Sequence, residues 1–178
     1  MAVFGFVQLN AQDTNVDNHT LTVNIPKVAL LDIEGGGAVT LSPDAPIEAG
    51  NPIDFSSDTD NSLWLNYSSI VGNAPNDSRT VTVSLTGTLP SGANLRVTAA
   101  AATGDGGGNK GTSSGLVTLA AINTDYTVIT GIGSCYTGDG ANKGHNLTYD
   151  LTENTGNYGD LNHNTDYTVT ITYTLSDN

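Results

Sequence analysis

From Tyr167 to Leu175 every second residue is large and apolar, and each residue between them is a threonine. Alternation at period two sends one kind of side chain to each face of a strand, so this segment has one face for a core and one for water. A helix would mix the two sets around its circumference. The same pattern recurs upstream. Val81, Val83 and Leu85 share a face in the segment Arg79 to Gly87; Leu95, Val97 and Ala99 continue it, and Leu21, Val23 and Ile25 alternate with Thr20, Thr22 and Asn24. Pro26 interrupts after that first ladder, and an apolar run resumes from Val28 to Ile33. Leu63 to Ile70, Leu116 to Ile122, Tyr126 to Ile132 and Leu147 to Leu151 complete the candidates. About nine strands separated by Gly, Asn, Asp and Pro clusters predict an all-β chain.

Composition supports this. The 178 residues include 21 Gly, 25 Thr and 19 Asn but only three Glu, three Lys, two Gln and one Met. Good helix formers are scarce, while residues of strands and turns abound. One-faced alternation suits antiparallel pairing, and two such sheets face to face make an antiparallel β-sandwich, Ig-like or pilin-like. The length fits one domain with a core of its own. Residues 13–178 read as that single β-sandwich domain. With 5 basic and 18 acidic residues the formal net charge is −13, which leaves no electrostatic footprint for nucleic acid or an anionic membrane.

Residues 1–12, MAVFGFVQLNAQ, are apolar as far as Leu9, and Ala11 is small where a signal peptidase would cut. They read as a signal-peptide remnant or as an N-terminal strand, Val3 to Leu9. A nine-residue run is too short to span a bilayer, and no membrane insertion is expected. Cys135 is the only cysteine, so no intrachain disulfide forms; with no basic residue beside it in sequence, it reads as a buried, unreactive thiol.

The motifs that carry chemistry elsewhere lack their context here. Gly111 to Gly115 fits G-x-S-x-G, but a nucleophile elbow needs a strand before the Ser and a helix after it. Gly106, Gly108 and Gly111 fit G-x-G-x-x-G with no helix following to hold a pyrophosphate. His19, His145 and His163 have no ligand spacing and read as exposed turn residues. Residues 42–62 read as a polar loop, and in it Asp54, Asp58 and Asp60 are the densest oxygen cluster and the calcium candidates. Four N-x-[ST] triplets match the roughly four that 19 Asn and 38 Ser and Thr predict by chance. Two turns echo each other, Thr103-Gly104-Asp105-Gly106 and Thr137-Gly138-Asp139-Gly140, and read as similar hairpin tips. The reading is non-enzymatic, with no catalytic residues and no resident cofactor.

Four phrases together resemble secreted, uncharacterised β-rich proteins of Bacteroidetes bacteria. They are Val28 to Glu34, Gly131 to Gly138, Gly144 to Tyr149 and Thr168 to Leu175. The resemblance spans most of the chain after Gln12 and implies an extracellular, cell-surface setting without an activity. In strand pattern the chain is also similar to spore-coat-U and chaperone–usher pilin-like sandwiches, whose two-cysteine pattern it lacks. Two functions follow as expectations. One is a structural subunit that assembles with itself, as a homo-oligomer, filament or layer, through β-strand addition, with either Val3 to Leu9 or Leu21 to Ile25 as the inserted strand. The alternative is an adhesin-like module whose loops bind glycan or calcium.

Overall fold

A computed structural model describes residues 1, 15–56, 58–163 and 167–178. The fold is all-β and antiparallel. Nine strands run in chain order: β1 (Val28–Glu34), β2 (Thr59–Ile70), β3 (Arg79–Gly87), β4 (Ala93–Ala99), β5 (Gly107–Ser113), β6 (Leu116–Thr118), β7 (Tyr126–Tyr136), β8 (His145–Glu153) and β9 (Val169–Asp177). The one helical element among the described residues is a 3₁₀ turn at Tyr158–Asp160. No helix among them is long and apolar enough to cross a membrane.

In place of two separately bonded sheets, all nine strands belong to one hydrogen-bonded network, β6-β4-β8-β2-β7-β3-β9, with β1 on β2 and β5 on β7. Two long strands make this arrangement. β1 covers one edge of β2 from Trp64 to Ile70. The opposite edge serves β8 up to Leu65 and then β7 at Ser68 and Ser69. β7 repeats the device: β5 runs along one edge, while the other serves β3 up to Ile132 and β2 beyond it. The wings β8-β4-β6 and β3-β9 therefore diverge from a shared centre. They also face each other, because the hydroxyls of Tyr149 on β8 and Tyr173 on β9 lie 2.7 Å apart. Four strand spacings of about 4.8 Å separate those strands along the sheet, too far for such a contact unless the sheet folds over on itself.

The space enclosed is the core. Val81, Val83 and Leu85 of β3, Leu95 and Val97 of β4, Val128, Ile129 and Ile132 of β7, and Leu65 and Leu147 fill it with almost no exposure. Each fully buried aliphatic of this size contributes roughly 1.5–3 kcal/mol. Alternation names the inward residues of β3 and β4 correctly, because both strands bury one face only.

Four segments differ from expectation. Leu21 to Ile25, expected as a strand, has no strand assignment, because nothing among the described residues pairs with it or covers its apolar row. β2 starts at Thr59, so the loop expected over 42–62 gives up its last residues to a strand with a register shift between Asp60 and Leu63. Leu116 to Ile122 contracts to the three residues of β6. β5, GGNKGTS, has no apolar alternation at all and is not among the strands the sequence predicts. It forms because its glycines let two backbones come close: at Gly108 (φ +80°) a Cβ would stand 2.2 Å from the Ser134 carbonyl oxygen on β7. Gly115 has nearly the same φ, +78°, but open space around it. Gly115→Ala therefore meets backbone strain alone, about 1–2 kcal/mol, whereas Gly108→Ala adds a clash with β7. Urea unfolding of the two variants is expected to rank Gly108→Ala as clearly the less stable.

Candidate functional site

Residues 15–27 precede β1 as an arm with no strand assignment. Leu21, Val23 and Ile25 are 79%, 73% and 75% exposed. Among the described residues no backbone group hydrogen-bonds the segment from Leu21 to Ile25. Local chemistry keeps it extended. Ile25 precedes a proline, which disfavours helical backbone there, and Pro26 has no N–H for a ladder. Three branched aliphatics at alternate positions thus stand in water, each forgoing the burial energy its counterparts in the core obtain.

The arm leaves the domain at a fixed point. The Lys27 ammonium lies 2.5 Å from the Asp177 carboxylate at the end of β9. Arg79, on the buried row of β3, donates to the same carboxylate through Nε at 2.8 Å. Its Nη1 donates to the Val28 carbonyl and, at 2.8 Å, to Ser69 Oγ. Hydrogen bonds from Lys27 first, then from Arg79, hold Asp177 below the ordinary carboxylate pKa.

β9 is the strand at that anchor. β3 covers one of its edges through nine unbroken pairs, Arg79↔Asp177 to Gly87↔Val169. No described strand covers the other. Its inward row, Val169, Ile171, Tyr173 and Leu175, packs against the core but is only partly buried. The free edges elsewhere are poorer: β1 is seven residues long and carries Asp32 and Glu34, β6 has three residues, and β5 carries a register shift.

A second cluster lies inside. The Tyr67 hydroxyl meets both the Lys110 carbonyl and His145 Nε2, the latter at 2.8 Å, and His145 Nδ1 lies 2.7 Å from the Ala100 carbonyl. The two rings stack at 5.6 Å between centroids. Three links need three protons, and a neutral Tyr–His pair supplies two. An imidazolium would complete the chain, but burial opposes the charge and the Lys110 ammonium adds to that opposition. Burial wins over the carbonyl hydrogen bonds and lowers the His145 pKa. Burial also pushes the Tyr67 phenol upward and raises Tyr149 to about 12. His145 is 1% exposed, so the expectation of an exposed turn histidine fails for it. It shares strand parity with Leu147 and Tyr149, and that alternation was the signal.

Cys135 is buried on β7, as expected. The expectation that no cation acts on it fails: Lys110 and Arg79 both favour the thiolate. Burial outweighs them and raises the thiol's pKa. Ser113 of the G-x-S-x-G stretch ends β5, its Oγ donating to the Ala99 carbonyl and accepting from Gly115 N.

The calcium candidates lie in the loop before β2, at Asp54 and Asp58, and in β2 itself, at Asp60. Asp54 forms an isolated bridge with Asp44 and accepts from Ser56 N at 2.8 Å, a bond that lowers its pKa. Asp60, in β2, accepts from Ser62 N and Oγ. Asp58 keeps one carboxylate oxygen buried without a partner among the described residues. Among those residues no three His, Cys, Asp or Glu side chains form a group that could hold a metal ion. The segment Val3 to Leu9 lies outside the described residues.

Comparison with protein-family models, curated proteins and solved structures finds no match to this chain.

The buried histidine sets a pH dependence. Its folded pKa lies below the unfolded value near 6.5, so on acidification the unfolded chain takes up the proton first. Stability is full above about pH 6.5 and falls as pH drops through the interval down to the folded pKa. Asp54 and Asp177, lowered from 3.8, act only at more acid pH. Urea midpoints measured between about pH 7.5 and 5 are expected to fall for the native chain. His145→Gln should flatten this interval and leave the acid limb in place.

Proposed function

We propose that this protein is a non-enzymatic structural subunit of an extracellular filament or surface layer, and that it assembles by adding the arm of one copy to the β9 edge of the next. The observation that carries this reading is the arm itself. Leu21, Val23 and Ile25 have the alternation of a core strand, yet none of them is in the core of its own chain. An extended segment with apolar residues at every second position fits a sheet edge through main-chain hydrogen bonds and seats those side chains on one face.

β9 suits the receiving role. Its free edge is nine residues long, its register with β3 has no bulge, and its inward apolar row is incompletely covered. Uncovered edges of this kind pair with other chains unless they are blunted by charge, proline or a bulge. Between Val169 and Ser176 β9 has none of these. The resemblance to secreted Bacteroidetes proteins, which implies an extracellular setting, agrees with the same reading.

Electron microscopy and sedimentation of the purified chain test this. The native protein is expected to form fibres or layers with a regular repeat. Leu21→Asp with Val23→Asp should abolish them and leave a folded monomer of unchanged circular dichroism, because both positions are exposed in the isolated subunit. A native chain that stays monomeric at high concentration would sink the proposal, and so would a double variant that still polymerises.

A further inference from the structure

On the outer face of β1 and β2, away from the core, lies a depression of about 460 Å³ beside the loop that follows β7. Its residues come together through strand register. Leu30 on β1 pairs with Ser68 on β2, and Ser68 pairs with Tyr136 on β7, so the three form one row across the sheet. Asp32 lies opposite Asn66 one step along. Asp139, in the Thr-Gly-Asp-Gly turn, closes the far wall.

The depression combines two chemistries. Leu30 and Tyr136 are 67% and 55% exposed, large apolar groups standing in water on either side of Ser68. The Tyr136 ring lies over Gly107, where a Cβ would come within 3.1 Å of its Cε1. The missing side chain at 107 thus lets the ring settle toward β5 while the residue stays 55% exposed. Around this platform are acceptors. Asn66 is not one of them: it is 5% exposed, its Nδ2 donates to the Gly140 carbonyl at 2.9 Å, and its Oδ1 is buried beside Gly144. Asp32 Oδ1 accepts only the neighbouring Ile33 N–H. No described residue forms a hydrogen bond or salt bridge with the Asp139 carboxylate.

We propose that this depression binds a neutral saccharide, with the Tyr136 ring against the apolar face of a sugar ring and Asp32, Asp139 and Ser68 hydrogen-bonding its hydroxyls. A concave surface lined by apolar and aromatic groups with a few convergent polar ones is what a small-molecule site provides, and the aromatic ring supplies most of the apolar area. The two carboxylates and the net charge of −13 select against acidic sugars, phosphates and nucleotides. Carboxylates accept hydrogen bonds about twice as strong as neutral ones, which suits a ligand rich in hydroxyl donors. The site is independent of the arm and of the β9 edge, so a subunit assembled as proposed would display one copy per repeat.

Isothermal titration of the full chain with cellotetraose, chitotetraose and mannotetraose tests the proposal. Saturable binding of at least one is expected. Tyr136→Ala should weaken it at least about tenfold, a loss of 1.4 kcal/mol. Tyr136→Phe should retain it, and Asp139→Asn should weaken it without changing the fold. Tyr158→Ala, which alters an exposed tyrosine elsewhere, should leave it unchanged. No binding of any of the three sugars overturns the proposal. So does binding that survives both Tyr136→Ala and Asp139→Asn, and so does a response to calcium chloride alone that Asp139→Asn removes, which would make the depression a cation site.

Discussion

A guanidinium with no exposed surface sits where four strands meet. β3 carries it, β9 supplies the Asp177 carboxylate, β1 the Val28 carbonyl and β2 the Ser69 hydroxyl. A buried charge is tolerated only when it is paired and hydrogen-bonded, so each of these strands must be in place for Arg79 to be accommodated. Nη2 has no partner among the described residues, so the site is strict about the partners it has. Arginine suits the position because its planar fork reaches three acceptors at once and its charge is never lost. The chain has only 5 basic residues, and Arg79, Arg96 and Lys27 form its three salt bridges among the described residues.

That cluster also fixes where the chain stops being domain. Val28 is held by Arg79 and Lys27 by Asp177; upstream of them come Pro26 and the exposed alternation. The same carboxylate therefore ties the base of the arm to the last residue of β9. Folding over the sheet depends on β2 and β7, each of which divides one edge between two partners. Without that division the Tyr149 and Tyr173 hydroxyls could not meet, and the inward row of β9 would face water instead of the core.

The strands with one buried face were legible in the sequence. In β3 and β9 parity alone identifies Val81, Val83 and Leu85, and Val169 to Leu175, as inward. Parity would also have placed Arg79 and His145 inside, since each stands in a row of buried aliphatics; residue type pointed the other way. β5 was not legible, because its pairing rests on backbone approach through Gly108 and Gly111 rather than on any apolar pattern. Leu21 to Ile25 shows the limit from the other side. Alternation says that a segment can be a strand and which side chains share a face, but it does not say which edge, or which molecule, provides the partner. The saccharide candidate was hidden for a similar reason: Leu30, Ser68 and Tyr136 are far apart in sequence and meet only through register. Asn66 lies on an outward position and is buried only because the loop after β7 folds over it.

The two faces of the arm bear on the proposed assembly together. Docked on β9 with Leu21, Val23 and Ile25 toward the core, the arm would present Thr20, Thr22 and Asn24 outward. The face they join is already a hydroxyl surface. Thr82 stands opposite Thr174, Ser84 opposite Thr172 and Thr86 opposite Thr170 across the β3–β9 pair. Threonine satisfies both demands of such a position, a β-branched side chain for the strand and a hydroxyl for water. Cross-strand threonine and serine pairs also stabilise a sheet modestly, by about 0.2–1 kcal/mol each. An added strand must match its host on both faces at once, and a one-residue slip would turn threonines inward and leucines to water. The alternation of the arm therefore fixes which of its faces turns inward on β9 and excludes every register displaced by an odd number of residues. That selectivity distinguishes an ordered repeat from indiscriminate edge-to-edge aggregation.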